Sequence, residues 1–423
     1  YSNQRVPMSG HDHTVPDFAN NISFLGHTDQ GGRGDGLQIM VHKGHAYIAN
    51  IFSNGFTVVD VRDPRNPKPV NFIPAPPQTW SLHLQSADDL LLVVNAANLF
   101  ANPAFADEAN YYGRSFGEVF ASQPVDYTAG MRVYDISTPA EPREIGFMPI
   151  DGVGVHRIWY TGGRWAYASA LLKGFADYCF ITIDMSDPTK PQMVGKWWIP
   201  GQHSAAGEKP SWDSNKWRYG LHHAVISGDR AYGAWRDGGL TILDVKDRTK
   251  PDLVVHRNWS PPFLGGTHSP LPLTDRNLLI VADEGVADNA ADGIKRTWIF
   301  DIRDEKNPIS ISTLPQPKED DFVKKGGHTC SHNLHENRPG SFVSSTTIFG
   351  TFQNAGLRVY DISDEFEPRE VAAWVPPAPE KMYDVRPNRP KVIQSADVFV
   401  NPDGIMYMTD YNAGLYILQY EGE

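Results

Sequence analysis

Histidine is the side chain best suited to acid–base work near neutrality and to holding a transition metal. This chain has 15, and several share one local setting. His83 (in Ser-Leu-His-Leu-Gln), His156 (Gly-Val-His-Arg-Ile), the pair His222 and His223 (Leu-His-His-Ala-Val), His268 (Gly-Thr-His-Ser-Pro) and His332 with His335 (Cys-Ser-His-Asn-Leu-His) recur at the starts of successive similar segments. Imidazoles brought together from such segments can share one ion. The metal candidates are therefore His156, His222, His268 and His332, with His335 as a further candidate, and one divalent transition-metal ion is a candidate cofactor. The same four histidines can instead act as general acids and bases without a metal, with Glu284 or Asp410 as carboxylate partner. Arg236, Lys173, Trp235, Tyr411, His83 and His223 are the candidates for holding substrate, Arg236 for an anionic group. A structural alternative stands beside both: each imidazole can simply bond the backbone of a neighbouring segment.

The elements that must position these residues are repeats. Gly55–Pro67, Gly130–Pro142, Cys179–Pro191, Gly239–Pro251, Arg296–Pro308 and Gly356–Pro368 share one pattern, and Gly414–Gln419 begins a seventh copy. In each full copy, alternating β-branched and aromatic residues run up to an aspartate (Asp60, Asp135, Asp184, Asp244, Asp301, Asp361), and a proline follows seven residues later. Alternation of this kind suits a half-buried strand. The carboxylate can accept from backbone N–H groups just ahead and hold a tight turn. Proline then removes a ladder donor before the next short strand. A further strand pair precedes each glycine, as in His222–Trp235, which gives four strands per repeat. Most aspartates are 57 to 60 residues apart, with exceptions of 75 and 49. Four-stranded units at that period predict an all-β, seven-bladed β-propeller.

The repeats resemble the LVIVD repeat family, here spelled FTVVD, MRVYD, FITID, LTILD, TWIFD and LRVYD. The resemblance covers nearly the whole chain and implies a propeller fold. It implies little about activity, because a propeller hosts many unrelated functions.

Closure of the ring is legible at the N-terminus. Residues 21–26 resemble the outer strand of other repeats, such as Glu144–Met148, and the seventh repeat lacks that strand after Gln419. The N-terminal strand is therefore expected to complete the last blade and leave no open edge. Residues 1–20 read as an irregular segment carrying His11 and His13, and 21–423 as one propeller domain. Between Asn95 and Ala129 the second blade carries an insertion rich in Phe and Tyr. Long insertions of this composition are usually functional. A lid over the face where blade-to-blade loops converge is the expectation, with a homodimer contact as the alternative. Arg33-Gly34-Asp35 sits in a glycine-rich turn and reads as turn chemistry rather than an adhesion signal.

A formal charge of −12 on 423 residues argues against nucleic acid or an anionic membrane as partner. No apolar run approaches the ~20 residues of a membrane-spanning helix. Two cysteines, Cys179 and Cys330, are too few for a disulfide framework. A cytoplasmic location is expected, or a periplasmic or secreted one if a leader preceding Tyr1 has been removed. No serine-hydrolase elbow or dinucleotide fingerprint occurs, so no nucleotide cofactor is expected. The run His328–His335, with Cys330, has zinc-like residue types without a standard zinc spacing. The functional expectation is an enzyme of lyase, isomerase or hydrolase type acting on a small anionic or aromatic molecule at the channel mouth. A non-catalytic ligand-binding or interaction scaffold is the alternative.

Overall fold

The computed structural model describes residues 12–101, 116–117, 127–386 and 388–422. Seven antiparallel sheets follow one another along the chain, each the blade of a propeller. The repeated strands Gly55–Asp60, Gly130–Asp135, Cys179–Asp184, Leu240–Asp244, Thr297–Asp301, Leu357–Asp361 and Gly414–Tyr420 are the third from the channel in blades 1 to 7. In the six full copies the terminal aspartate accepts the backbone N–H two residues on, at 2.8–3.1 Å. The turn predicted from the residue type is therefore made by that carboxylate in each of the six blades that carry it.

The strand Ile22–Thr28 pairs antiparallel with Gly414–Tyr420 and completes blade 7, so the N-terminal strand closes the ring as predicted. The seating repeats a device used elsewhere. A Cβ at Gly26 would meet the Pro64 carbonyl oxygen of blade 1 at 2.3 Å, as Cβ atoms at Gly146 and Gly195 would meet Pro188 O and Arg248 O of their own next blades at 2.3 Å. Only glycine lets an outer strand come this close to the following blade's turn. The N-terminal segment does more than was expected of residues 1–20. Phe18–Asn20 form a strand that pairs with Trp374 and its neighbours on the outer edge of blade 6. Residues 1–11, including His11, lie outside the described residues.

Blade 6 departs at its inner edge. Its channel-side segment, Ser331–His335, holds to Thr347–Thr351 through single backbone bonds (His332 N–H to Thr351 O, Thr351 N–H to Asn333 O, His335 N–H to Phe349 O) instead of a regular ladder. Most of the insertion (102–115 and 118–126) lies outside the described residues, and the lid and dimer readings lie there with it. Its described parts are packed. Phe116 is buried under the Arg218 guanidinium at 3.7 Å, and Phe100 packs edge-on to Trp80. Cys179 and Cys330 are both buried and free, in agreement with the absence of a disulfide framework. Among the described residues no helix is long and apolar enough to cross a membrane.

Candidate metal centre

The site begins with an irregularity in the innermost strands. Register breaks between Val155 and Arg157, between Thr267 and Ser269, and between Ser395 and Asp397 leave His156, His268 and Ala396 as the extra residue of a β-bulge. In blade 1, Leu37 and Gln38 both bond Ala49, and in blade 6 His332 and Asn333 both bond Thr351. A bulge sets two neighbouring residues against one partner and re-aims their side chains. Two consecutive residues per blade can therefore face the channel, in two tiers.

The upper tier is Leu37, Leu82, His156, His222, His268 and His332, and all six line one cavity of about 100 Å³. The imidazoles form a continuous arc across blades 3 to 6. Ring centroids of His156 and His222 are 4.8 Å apart, His222 and His268 stack at 3.6 Å, and His268 and His332 lie 4.7 Å apart. Glu284, from the loop after the second strand of blade 5, faces the arc. Its Oε2 lies 3.4 Å from His268 Nε2 and its Oε1 3.4 Å from His332 Nε2. Ligand atoms of His222, His268 and Glu284 all fall within 4.8 Å of one another, a buried cluster that can hold one metal ion.

The far side of each ring sets its direction. His222 Nδ1 lies 3.0 Å from His268 O, His268 Nδ1 lies 2.7 Å from Ser269 Oγ, and His332 Nδ1 bonds Ala396 O. Backbone anchoring by the neighbouring blade, the structural alternative for these residues, is thus present in His222 and His332. It does not exclude the chemical role. A donor bond at Nδ1 fixes the tautomer that leaves Nε2 with its lone pair, the usual outer support of a metal-ligating histidine.

Electrostatics favour neutral rings. Burial lowers the pKa values of His156, His222 and His268 well below the ordinary value, and the Arg157 guanidinium adds to the effect in each; His332 falls to about 4 through burial. Burial alone would raise the Glu284 carboxyl, but the Arg236 guanidinium and His332 hold it below its usual range. Neutral imidazoles beside an ionised carboxylate are the protonation states a divalent ion requires.

These shifts carry a pH prediction for the metal-free protein. A histidine whose folded pKa is lowered favours folding above its unfolded value of about 6.5, and that stability is lost as pH falls toward the folded value. His332 and His335, both at about 4, each contribute on the order of 3 kcal/mol over that window. Buried carboxyls oppose this: burial raises Asp283 and Asp410 to about 6 and Asp397 to about 8, which favours folding on acidification. Burial also raises Asp35, Asp237 and Glu370 and lowers His223 and His256, so eight depressed imidazoles stand against six raised carboxyls. The melting temperature is expected to fall between pH 7 and pH 5 in scanning calorimetry. A flat or rising profile would show that the rings are not buried neutral.

Several sequence candidates stand elsewhere. His83 and His223 belong to the lower tier with Gln38, Arg157, Ser269, Asn333 and Asp397, one residue past the upper-tier position. His83 Nδ1 accepts the Ile158 N–H, and His223 Nε2 bonds Glu336 Oε1 at 3.0 Å. His335 has both nitrogens on backbone groups, Phe342 O and Val400 N–H, which removes it from the ligand set. Asp410 is turned away from the arc: it accepts from Asn412 N–H, Ala413 N–H and Ser395 Oγ and locks the turn ahead of the last strand. Lys173 is exposed and does not line the cavity. Trp235 is wholly buried, its indole N–H on Thr241 Oγ1, and serves as core. Arg236 pairs with Glu284 at 2.6 Å and so has its anion within the protein. Tyr411 does line the cavity, 6.3 Å from the His332 ring. Cys330 of the zinc-like run accepts the Gly285 N–H, and burial pushes its thiol well up.

His328 of the zinc-like run lines the cavity; sequence reasoning missed Arg157 and Arg386, which also line it, and the wall of Ile51, Trp80, Leu99 and Phe100 from blades 1 and 2 and the start of the insertion. The signal for Arg157 lay in its place directly after His156. Strand alternation would send it to the opposite face, and only the bulge brings it round.

The LVIVD repeat pattern matches residues 33–70 and 223–258, which fall in blades 1 and 4. The chain is an LVIVD-repeat-containing seven-bladed β-propeller. No curated protein sequence matches it. Among solved structures it is similar to the β-propeller domain of Myceliophteria thermophila Cps50 (Swd1), at 9% identity over 91% of this chain and 97% of that one, with a TM-score of 0.55. It is also similar to Saccharomyces cerevisiae Sqt1, at 7% identity over 95% of this chain and 99% of that one, with a TM-score of 0.51. Likeness at such identities is one of fold alone.

Proposed function

We propose that this propeller is an enzyme that transforms a small organic molecule at the channel mouth, with one divalent transition-metal ion held by His222, His268 and Glu284. His332, on the other oxygen of Glu284, and His156, beside His222, complete the surroundings. The observation that carries this reading is the shared orientation of the arc: Nδ1 atoms of three histidines are bonded, and the Nε2 atoms of two of them face one carboxylate. Mixed imidazole and carboxylate donors suit zinc and neighbouring metals. The ion would supply Lewis acidity, polarising an oxygen of the substrate or of water. His156, for which no anchoring bond of this kind exists among the described residues, is the group best placed to move a proton in the cavity. A hydrolase, lyase or isomerase step fits such equipment.

A pure scaffold would fill its channel. The lower channel is filled: Arg338 donates to Ser86 O and Tyr160 O, and Glu336 joins Gln85 and His223. The upper part keeps its cavity, which favours the enzyme over the scaffold. Elemental analysis of protein purified without chelator or affinity histidines tests the reading. Close to one equivalent of zinc, copper, iron, manganese, cobalt or nickel per chain is expected. Protein that carries no such metal and takes up none on dialysis would refute the metal centre.

A further inference from the structure

The cavity has two unlike halves. Blades 3 to 6 supply the imidazole arc, and the wall of Leu37, Ile51, Trp80, Leu82, Leu99 and Phe100 opposite is apolar and aromatic. The charged groups lining it are Arg157, Glu284 and Arg386. Glu284 is neutralised by Arg236 at 2.6 Å and Arg386 by Asp384 at 2.6 Å. Arg157 is different. It is 3% exposed, and its two bonds go to uncharged amide oxygens, Gln38 Oε1 at 2.9 Å and Asn333 Oδ1 at 3.0 Å. Among the described residues no carboxylate pairs with it, and its Nε–H has no partner. An arginine has five N–H donors, so most of this fork is unspent. Burial raises Asp397, the carboxyl that acts on it most strongly, to about 8, and the next two, Glu336 and Glu284, are bonded to His223 and to Arg236. A buried charge without a counter-ion is costly. Water can satisfy its N–H groups but cannot neutralise it.

We propose, resting on the small-molecule reading of this cavity above, that its ligand is a one-ring monoanion: a carboxylate or similar oxyanion seated on Arg157, with its apolar body against Trp80, Leu82 and Phe100. Guanidinium forks match planar oxyanions bidentately. The size follows from volume. A dry apolar cavity of about 150 Å³ accommodates benzene, so the cavity of about 100 Å³ here, open on one side, sets a single ring as the upper limit for the body of the ligand. The anion site is thereby assigned to Arg157 in place of Arg236, whose charge is already met. An oxyanion on Arg157 would also present the rest of the molecule to the Nε2 side of the arc.

The test is isothermal titration of the full chain, stripped of metal by chelator and then freed of the chelator, with benzoate, benzyl alcohol and acetate as probes. Benzoate is expected to bind at least ~10-fold more tightly than benzyl alcohol, which lacks the charge, and than acetate, which lacks the ring. Arg157→Gln should weaken benzoate at least ~10-fold and leave benzyl alcohol unchanged. Should that variant fail to fold, Arg157→Lys keeps the charge, loses the fork, and should fall between the two. Benzoate no tighter than benzyl alcohol, benzoate no tighter than acetate, or benzoate unaffected by substitution at Arg157 would each overturn the proposal. Because the titration uses metal-free protein, its outcome is separate from that of the metal analysis.

Discussion

Replacing Glu284 by glutamine is expected to abolish metal retention and to destabilise the fold by about 3–5 kcal/mol, whereas His268→Ala should remove the metal with little loss of stability. The difference comes from what each residue leaves behind. Glu284 is the counter-ion of Arg236, a guanidinium 1% exposed, and breaking a buried pair strands the surviving charge. His268 gives up one bond to Ser269 Oγ and a stack on His222, and leaves space in a cavity that already exists. Its stability loss should stay near about 1 kcal/mol. Metal affinity in His268→Ala should fall by more than ~100-fold, since substitutions in the outer support of a metal site already cost 10–100-fold. Denaturant unfolding and elemental analysis of both variants check this. Combining Glu284→Gln with Arg236→Met should recover much of the lost stability while metal stays absent, because the orphaned charge has gone. A double variant as unstable as Glu284→Gln alone would show that Glu284 supports the fold by some route other than this pair. Full metal occupancy in His268→Ala would remove that histidine from the centre.

The fold was legible because its elements repeat a local physical rule. An aspartate closing an alternating strand, and a proline seven residues on, mean the same thing in six places, and the structure puts the same carboxylate-to-N–H bond in all six. The closing strand was legible by likeness, since residues 21–26 match outer strands such as Glu144–Met148. Phe18–Asn20 was not: three residues with no repeat partner carry no signal until the outer edge of blade 6 is there to pair with them.

The site was legible by half. His156, His222, His268, His332, Glu284 and Tyr411 do meet in one cavity, because each falls at a recurring position of the repeat. The errors of position along the channel share one physical cause. A bulge turns two successive residues toward the channel, whereas a strand pattern read by alternation allows one. His83 was therefore grouped with the upper imidazoles although it stands with Arg157 and Asn333. Arg157 itself was overlooked as the neighbour of a more conspicuous residue. Asp410, Trp235 and Arg236 were misjudged for a second reason: residue type shows what a side chain can bond, and only the fold shows what it already bonds. Arg236 met its carboxylate across two loops 48 positions apart in the chain, a pairing no local pattern contains.

Removal of residues 1–28 is expected to have the largest effect on the molecule as a whole. The strand Ile22–Thr28 makes six register pairs with the last strand. At about 0.5–1.5 kcal/mol net per hydrogen bond, with a further ~1.5–3 kcal/mol for the buried Ile22 side chain, its loss amounts to roughly 5 kcal/mol or more. Whole domains have only about 5–15 kcal/mol of stability. The truncated chain should therefore melt roughly 5 °C or more lower, or be recovered insoluble with the edge of Gly414–Tyr420 exposed. Insolubility alone would be ambiguous, so a point variant makes the sharper case. Gly26→Val keeps every residue of the strand and raises its β propensity, yet a Cβ there would lie 2.3 Å from Pro64 O of blade 1. The backbone on either side must move, at a cost of about 1–3 kcal/mol. Ser23→Val, half-buried on the same strand and paired with Gln419, should change stability by no more than about 0.5 kcal/mol. Thermal melts of Gly26→Val and Ser23→Val beside the parent protein decide the matter: equal melting of the two variants would mean that the terminal strand does not lock blade 7 onto blade 1, and that the ring closes by some other contact.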